Sequence, residues 1–153
     1  MCIRDSFNCD AITVSPYMGE ESIEPFISNQ SKGAYVLCRT SNESSTFIQE
    51  DIYSKVISLC ETLNNQQNIR LVVGATNVDA LVKVRNSTDL PFLIPGIGAQ
   101  GGNLQSVLKI NEKNLDTTLV NVSRGIIFSG NKDHDSIRNS AKKYLNQLRG
   151  LNE

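Results

Sequence analysis

Five short runs of apolar residues recur along the chain, each closed by small or polar residues and followed by a stretch whose apolar residues fall at helical spacing. They sit in CDAITVSPYMG, GAYVLCRTSN, IRLVVGATN, PFLIPGIGAQGG and TLVNVSRGIIF. Strands wetted on one side alternate apolar with polar residues. These runs are too uniformly apolar for that, which predicts a parallel sheet covered by helices. The intervening stretches agree. Acidic residues open a helix in GEESIEPFI, and Ile48, Ile52, Val56, Leu59 and Leu63 share one helical face. Ala80, Leu81 and Val84 do the same after the third run, and residues 104–110 form a short amphipathic helix. Ile137, Ala141, Tyr144, Leu145 and Leu148 make a last helix that stops at Gly150. The runs lie about 20 to 40 residues apart, the spacing of βα units.

Two architectures satisfy this pattern: an open doubly wound sheet, and part of an eight-stranded βα barrel. The polar residues separate them. Every run ends in a small or polar cluster: Ser15 and Tyr17; Arg39, Thr40, Ser41 and Asn42; Gly74, Ala75, Thr76 and Asn77; residues 96–102; and Ser123, Arg124 and Gly125. A doubly wound sheet concentrates its site at one switch point, whereas all strand ends of a barrel converge on one mouth. Five decorated ends favour the barrel.

Fifteen Lys and Arg against sixteen Asp and Glu leave a net charge of −1, so no global field draws the protein to nucleic acid or to a lipid surface, and any anion must be caught locally. No apolar run approaches the roughly 18 residues that cross a bilayer, and the N-terminus lacks a secretory layout, so the expected compartment is the cytoplasm. Cys2, Cys9, Cys38 and Cys60 match no zinc spacing and are expected to be reduced structural thiols. With one histidine, His134, no metal site is expected. The sequons at Asn42, Asn86 and Asn121 then carry no meaning. The opening MCIRDS resembles a translated sequencing adapter, so residues 1–6 are set apart as a scar and residues 7–153 are expected to carry the fold.

The sharpest chemical feature is PGIGAQGG at residues 95–102, with four glycines and a glutamine between a strand and a helix. Such density lets backbone N–H groups approach an anion, and the pattern reads as a phosphate cradle, although a tight turn alone would also use glycine. It is not the GxxxxGK[ST] of a P-loop, which disfavours P-loop ligands. Arg124 lies on the next βα unit, either at the strand mouth, where its guanidinium suits phosphate, or paired to a core carboxylate. Together the two make the barrel phosphate site of the last two strands. Ser41, with Thr40 and Asn42, offers hydroxyl and amide donors to a planar base, though such clusters often cap helices. His134 falls in a polar loop and is expected to be exposed. Lys142, Lys143, Arg138 and Arg149 are read as the solvated face of the last helix.

DAITVSPYMG, VLCRTSN, LVVGATN, FLIPGIGAQGG and NVSRGI are similar, in order and spacing, to the second half of the orotidine 5′-phosphate decarboxylase family, in its bacterial type 2 branch. The resemblance runs from about Cys9 to the last helix. It implies a partial (β/α)8 TIM barrel of roughly five C-terminal βα units with helices outside. It also implies a whole enzyme that works as a homodimer, without metal or organic cofactor, converting orotidine monophosphate to uridine monophosphate and carbon dioxide in pyrimidine synthesis. Gln100 and Arg124 would hold the substrate phosphate with help from the backbone at Gly98, Gly101 and Gly102, and Ser41 would meet the pyrimidine edge.

The family's chemistry depends on an Asp-x-Lys-x-x-Asp strand whose lysine protonates the nascent carbanion, and no such motif occurs here. Lys32, Lys55, Lys83, Lys109, Lys113, Lys132, Lys142 and Lys143 all fall in predicted loops or helices. The expectation is the fourth to eighth βα units of a decarboxylase, with no catalytic residue of its own and two unpaired strand edges. Two alternatives remain: another phosphate-binding barrel enzyme, such as a sugar-phosphate or indole-glycerol-phosphate enzyme, and a non-catalytic mononucleotide-binding module with a flavodoxin-like sheet.

Overall fold

The computed structural model describes residues 3–150. Its elements follow in the order α1 (Ile3–Ser6), β1 (Ala11–Val14), α2 (Glu24–Ile27), β2 (Gly33–Arg39), α3 (Thr46–Leu63), β3 (Ile69–Val73), α4 (Val78–Ser87) and β4 (Phe92–Ile94). Then come α5 (Leu104–Ile110), β5 (Leu119–Val120), α6 (Arg124–Ile127) and α7 (His134–Leu148), with 3-10 turns at Glu20–Ser22, Glu43–Ser45 and Glu112–Thr117. All strand pairs are parallel and the order is β1-β2-β3-β4-β5, with no reversal. A doubly wound sheet reverses at its switch point. The sequential order makes this one side of a βα barrel.

The two faces of the sheet differ. One carries Ala34, Val36 and Cys38 of β2, Ile69, Leu71 and Val73 of β3, and Phe92 and Ile94 of β4. These pack in one cluster with Val56, Ile57 and Cys60 of α3, Leu81 and Val84 of α4, and Leu104 and Val107 of α5. Each large aliphatic side chain buried there contributes about 1.5–3 kcal/mol. The register Thr13↔Tyr35↔Arg70 and Val72↔Leu93↔Leu119 lines the other face. There Tyr35, Arg70 and Leu93 are half-buried, and Leu119 is 54% exposed. That concave face is the inside of the barrel, and β1 and β5 are its open edges among the described residues.

The ends of the chain depart most from the sequence pattern. GEESIEPFI is not one helix but a 3-10 turn followed by the single turn α2, with Pro25 at its start. The last apolar run keeps only Leu119 and Val120 as strand. Asn121 N–H still donates to Ile94 O at 3.0 Å, but Arg124–Ile127 turns helical as α6. Residues 3–6 of the presumed adapter form α1, whose Arg4 is buried and donates through Nη1 to Phe26 O at 2.5 Å. Met1 and Cys2 lie outside the described residues.

Asparagine and aspartate caps set where the helices leave the barrel mouth. Asn77 accepts from Ala80 N–H at 2.9 Å, Asn103 from Ser106 N–H at 2.9 Å, and Asp133 from Ser136 N–H at 2.7 Å. His134 is therefore the first residue of α7 rather than part of a loop, and its side chain is exposed as expected.

Candidate functional site

The C-terminal ends of β2, β3 and β4 are drawn tightly together. A Cβ on Gly74 would lie 2.7 Å from Ser41 N, and one on Gly102 would lie 2.6 Å from Gly96 O, so these backbones meet with no room for a side chain. Gly96 turns the chain out of β4 at φ +99°, a left-handed conformation that glycine adopts freely. The loop then folds on itself: Gly102 N–H donates to Gly96 O at 3.0 Å and Gly101 N–H to Gly98 O at 2.8 Å. Gly98 N–H reaches Gly102 O at 3.4 Å. The N–H groups of these three glycines are thus engaged within the loop, whereas those of Ala99 and Gln100 have no acceptor among the described residues.

Ser41 leaves the local turn and reaches this loop. Its hydroxyl donates to Gln100 Oε1 at 2.8 Å, while Thr76 Oγ1 donates to Ser41 O at 2.8 Å. Thr40 and Asn42 do otherwise. Thr40 Oγ1 donates to Asn42 Oδ1 at 2.6 Å, and Gln49 Nε2 donates back to Thr40 Oγ1 at 2.9 Å, so these two serve the turn into α3. Gln100 Oε1 thus accepts one hydrogen bond, and its Nε2 carries two N–H donors.

Arg124 sits at the mouth. It is exposed, it makes no ion pair among the described residues, and it borders a cavity of about 170 Å³ together with Ser41, Pro95, Gly96, Ile97, Ala99, Gln100, Asn121 and Ser123. Pairing to a core carboxylate is therefore excluded. Gln100 and Arg124 face one space, although 24 positions separate them by number. No carboxylate lines it. On the far side of the Ser41–Gln100 pair lies a second cleft of about 560 Å³, bordered by Thr40, Asn42, Thr76, Asn77, Glu43 and Asp79 among others. Its two acids disfavour an anion, so charge sorts the two spaces.

Sequence reasoning missed Asn121 and the role of Ser123 in the cavity wall; their only signal was the polar alternation in NVS after the last run. It also missed the buried arginines. Arg39 Nη1 stands 3.0 Å from Glu50 Oε2, an ion pair whose N–H direction is poor for a hydrogen bond. Glu50 in turn meets Lys83 Nζ at 3.0 Å, and Lys83 and Arg39 together hold its carboxyl below the usual range. This network ties α3 to β2 and α4 outside the mouth. Among the described residues there is no cluster suited to a metal ion, and no helix is long and apolar enough to cross a membrane. No lysine lies on a strand.

Fold and site together define the class: a parallel βα half-barrel whose strand mouth presents a glycine loop, a glutamine amide and an unpaired arginine. A model of the Orotidine 5'-phosphate decarboxylase / HUMPS family matches residues 1–137, and the chain belongs to that family. The orotidine 5'-phosphate decarboxylase of Halorubrum lacusprofundi is 42% identical over 134 residues, 79% of this chain and 49% of that protein. That of Dehalococcoides mccartyi (strain CBDB1) is 43% identical over 139 residues, 83% and 52% respectively. The chain thus spans about half the length of the curated relatives it matches. Among solved structures, Leishmania donovani UMP synthase superposes with a TM-score of 0.86 at 37% identity, over 97% of this chain and 34% of that one. Leishmania donovani OMP decarboxylase gives 0.84 at 35%, over 97% and 59%. The partial TIM barrel read from the sequence is therefore the fold.

Proposed function

We propose that this chain is the phosphate- and base-binding portion of an orotidine 5'-phosphate decarboxylase, and that the cavity between Gln100 and Arg124 takes the phosphate of orotidine or uridine monophosphate. The observation that carries this is that an unpaired guanidinium and the Gln100 side chain border one carboxylate-free cavity. Its volume, about 170 Å³, is too small for a whole nucleotide and suits a ligand's phosphate end. The free N–H groups of Ala99 and Gln100 add donors, while Gly98, Gly101 and Gly102 act by shaping the loop. Ser41 spends its proton on Gln100, and its oxygen keeps lone pairs for a pyrimidine N–H.

In the whole protein the reaction would be decarboxylation of orotidine monophosphate to uridine monophosphate and carbon dioxide, without metal or organic cofactor, by a cytoplasmic homodimer. Grip on the remote phosphate would lower the barrier at the distant carbon. The residues here supply that grip and not the proton, since neither Asp-x-Lys-x-x-Asp nor any lysine on a strand is present.

The test is ligand protection. Uridine monophosphate should raise the melting temperature, uridine should do so far less, and Arg124→Ala should remove the difference. A charge-assisted bond is worth about 1.5–3 kcal/mol, so the variant should bind roughly 10- to 150-fold more weakly. Equal protection by unrelated mononucleotides would instead favour a general binding module. The chain alone should show no decarboxylation above background, and turnover comparable to an intact enzyme would refute the reading.

A further inference from the structure

Two faces of the cavity are held by the same side chain of the last helix. Ser140 and Tyr144 lie one turn apart on α7 and share a face. The Ser140 hydroxyl donates to Gly125 O at 2.8 Å. The Tyr144 phenol oxygen comes so close to two backbones that a Cβ on Gly98 would lie 2.6 Å from it, and one on Gly125 2.8 Å. One oxygen therefore touches both the glycine loop that carries Gln100 and the turn that carries Arg124. It makes no hydrogen bond among the described residues, so it acts by shape. The ring is half-buried against the core and does not line the cavity.

We propose that Tyr144 is a positioning residue whose hydroxyl spaces Gly98 from Gly125 and thereby sets the separation of Gln100 and Arg124. An anion is gripped by two groups only when their separation fits it, and a tyrosine ring, with two rotatable bonds, is a stiff spacer. The same contact bars a side chain at position 125, and at position 98 it adds to a left-handed φ of +76° that already favours glycine. The proposal rests on the phosphate reading above and extends it to a residue that touches no ligand.

Tyr144→Phe removes the spacer atom and keeps the ring. The chain carrying it should fold with a nearly unchanged melting temperature, bind uridine monophosphate about fivefold more weakly and bind uridine as before. Hydrogen exchange should quicken in both segments 95–103 and 121–128. Gly125→Ala should weaken uridine monophosphate binding further, and adding Tyr144→Phe to it should restore part of the loss by making room for the new methyl group. Equal weakening of nucleotide and nucleoside, or unchanged exchange in the two segments, would overturn the proposal. A parent chain that binds uridine monophosphate no better than uridine would sink the phosphate reading instead; exchange in Tyr144→Phe would still decide whether the hydroxyl spaces the loops.

Discussion

The Ser41 hydroxyl donates a 2.8 Å hydrogen bond to Oε1 of Gln100, joining the end of β2 to the loop after β4 across 59 positions of sequence. The pair forms the shared wall of the two clefts, one acidic and one bordered by Arg124.

That coupling is measurable. Ser41→Ala should free the Gln100 amide to rotate and weaken uridine monophosphate binding about three- to tenfold, within the range of one neutral hydrogen bond. Gln100→Ala should cost at least as much. Combined, the two should cost less than the sum of the single losses, because on the proposed reading Ser41 acts on the phosphate through Gln100, and what remains beyond Gln100→Ala is Ser41's own contact with the pyrimidine. Calorimetric titration of the four proteins decides it, and strictly additive losses would show the two side chains acting independently.

Neighbouring glycines of the loop should respond differently to alanine. At Gly102 the new methyl would meet Gly96 O at 2.6 Å and Ala75 Cβ at 2.7 Å, so the strand ends must part. This overpacking should cost about 1–3 kcal/mol in denaturant titrations, with a clear loss of nucleotide binding. At Gly101 nothing lies within 4 Å, and only its left-handed φ of +89° opposes a side chain. There the expected cost is about 1–2 kcal/mol with little change in binding by the folded protein. Equal binding losses at both positions would contradict the packing seen around Gly102.

Local pattern made most of the barrel readable and long-range contact hid the rest. Ile48, Ile52, Val56, Leu59 and Leu63 announced α3 through spacing alone, and the apolar runs announced β1 to β4. TLVNVSRGIIF misled because its apolar residues serve different ends: Leu119 and Val120 pair with β4, while Ile126 and Ile127 belong to α6. The glycine loop and Arg124 could be placed at the mouth because each follows an apolar run, and the structure brings the loop and Arg124 to one cavity. Asn77 was not, since the same polar residue that could meet a ligand instead caps α4. Nothing in the order of residues brings the Tyr144 hydroxyl to Gly98 and Gly125, for that contact exists only once α7 has docked.

Arg85 tests how far a charge can be structural. It is 8% exposed, with Nε donating to Asn111 Oδ1 at 3.0 Å, Nη1 to Thr88 O at 3.1 Å and Nη2 to Leu90 O at 3.2 Å. Its guanidinium carbon lies 3.4 Å from the centroid of the Phe92 ring. Burial pushes its pKa down to about 10, leaving it protonated at neutral pH. Arg85→Met strips three buried acceptors of their donor and should cost about 2–4 kcal/mol by denaturant titration. Arg85→Lys should restore little, because an ammonium cannot reproduce the planar fork. A loss below about 1 kcal/mol in Arg85→Met would show that the acceptors find other partners.

Cys38 and Cys60 give the fold an alkaline weakness. Burial pushes both thiols up from 9.0 to about 12, with Cys60 adding to the rise at Cys38 and Arg39 opposing it. In the unfolded chain each thiol loses its proton near its ordinary value, while the folded state keeps it. Between pH 9.0 and about 12 the native state therefore binds more protons than the unfolded state, and stability falls as pH rises through that window. Below it both states hold the protons and the thiols contribute no slope. Each thiol adds at most about 1.4 kcal/mol of decline per pH unit. Replacing both by alanine lowers stability at neutral pH by leaving small cavities, but it should flatten the alkaline decline. Denaturant midpoints of the parent and the double variant, followed from about pH 8 to about pH 11, supply the comparison. Parallel curves would mean that the thiols ionise alike in both states, contrary to their burial between β2 and α3.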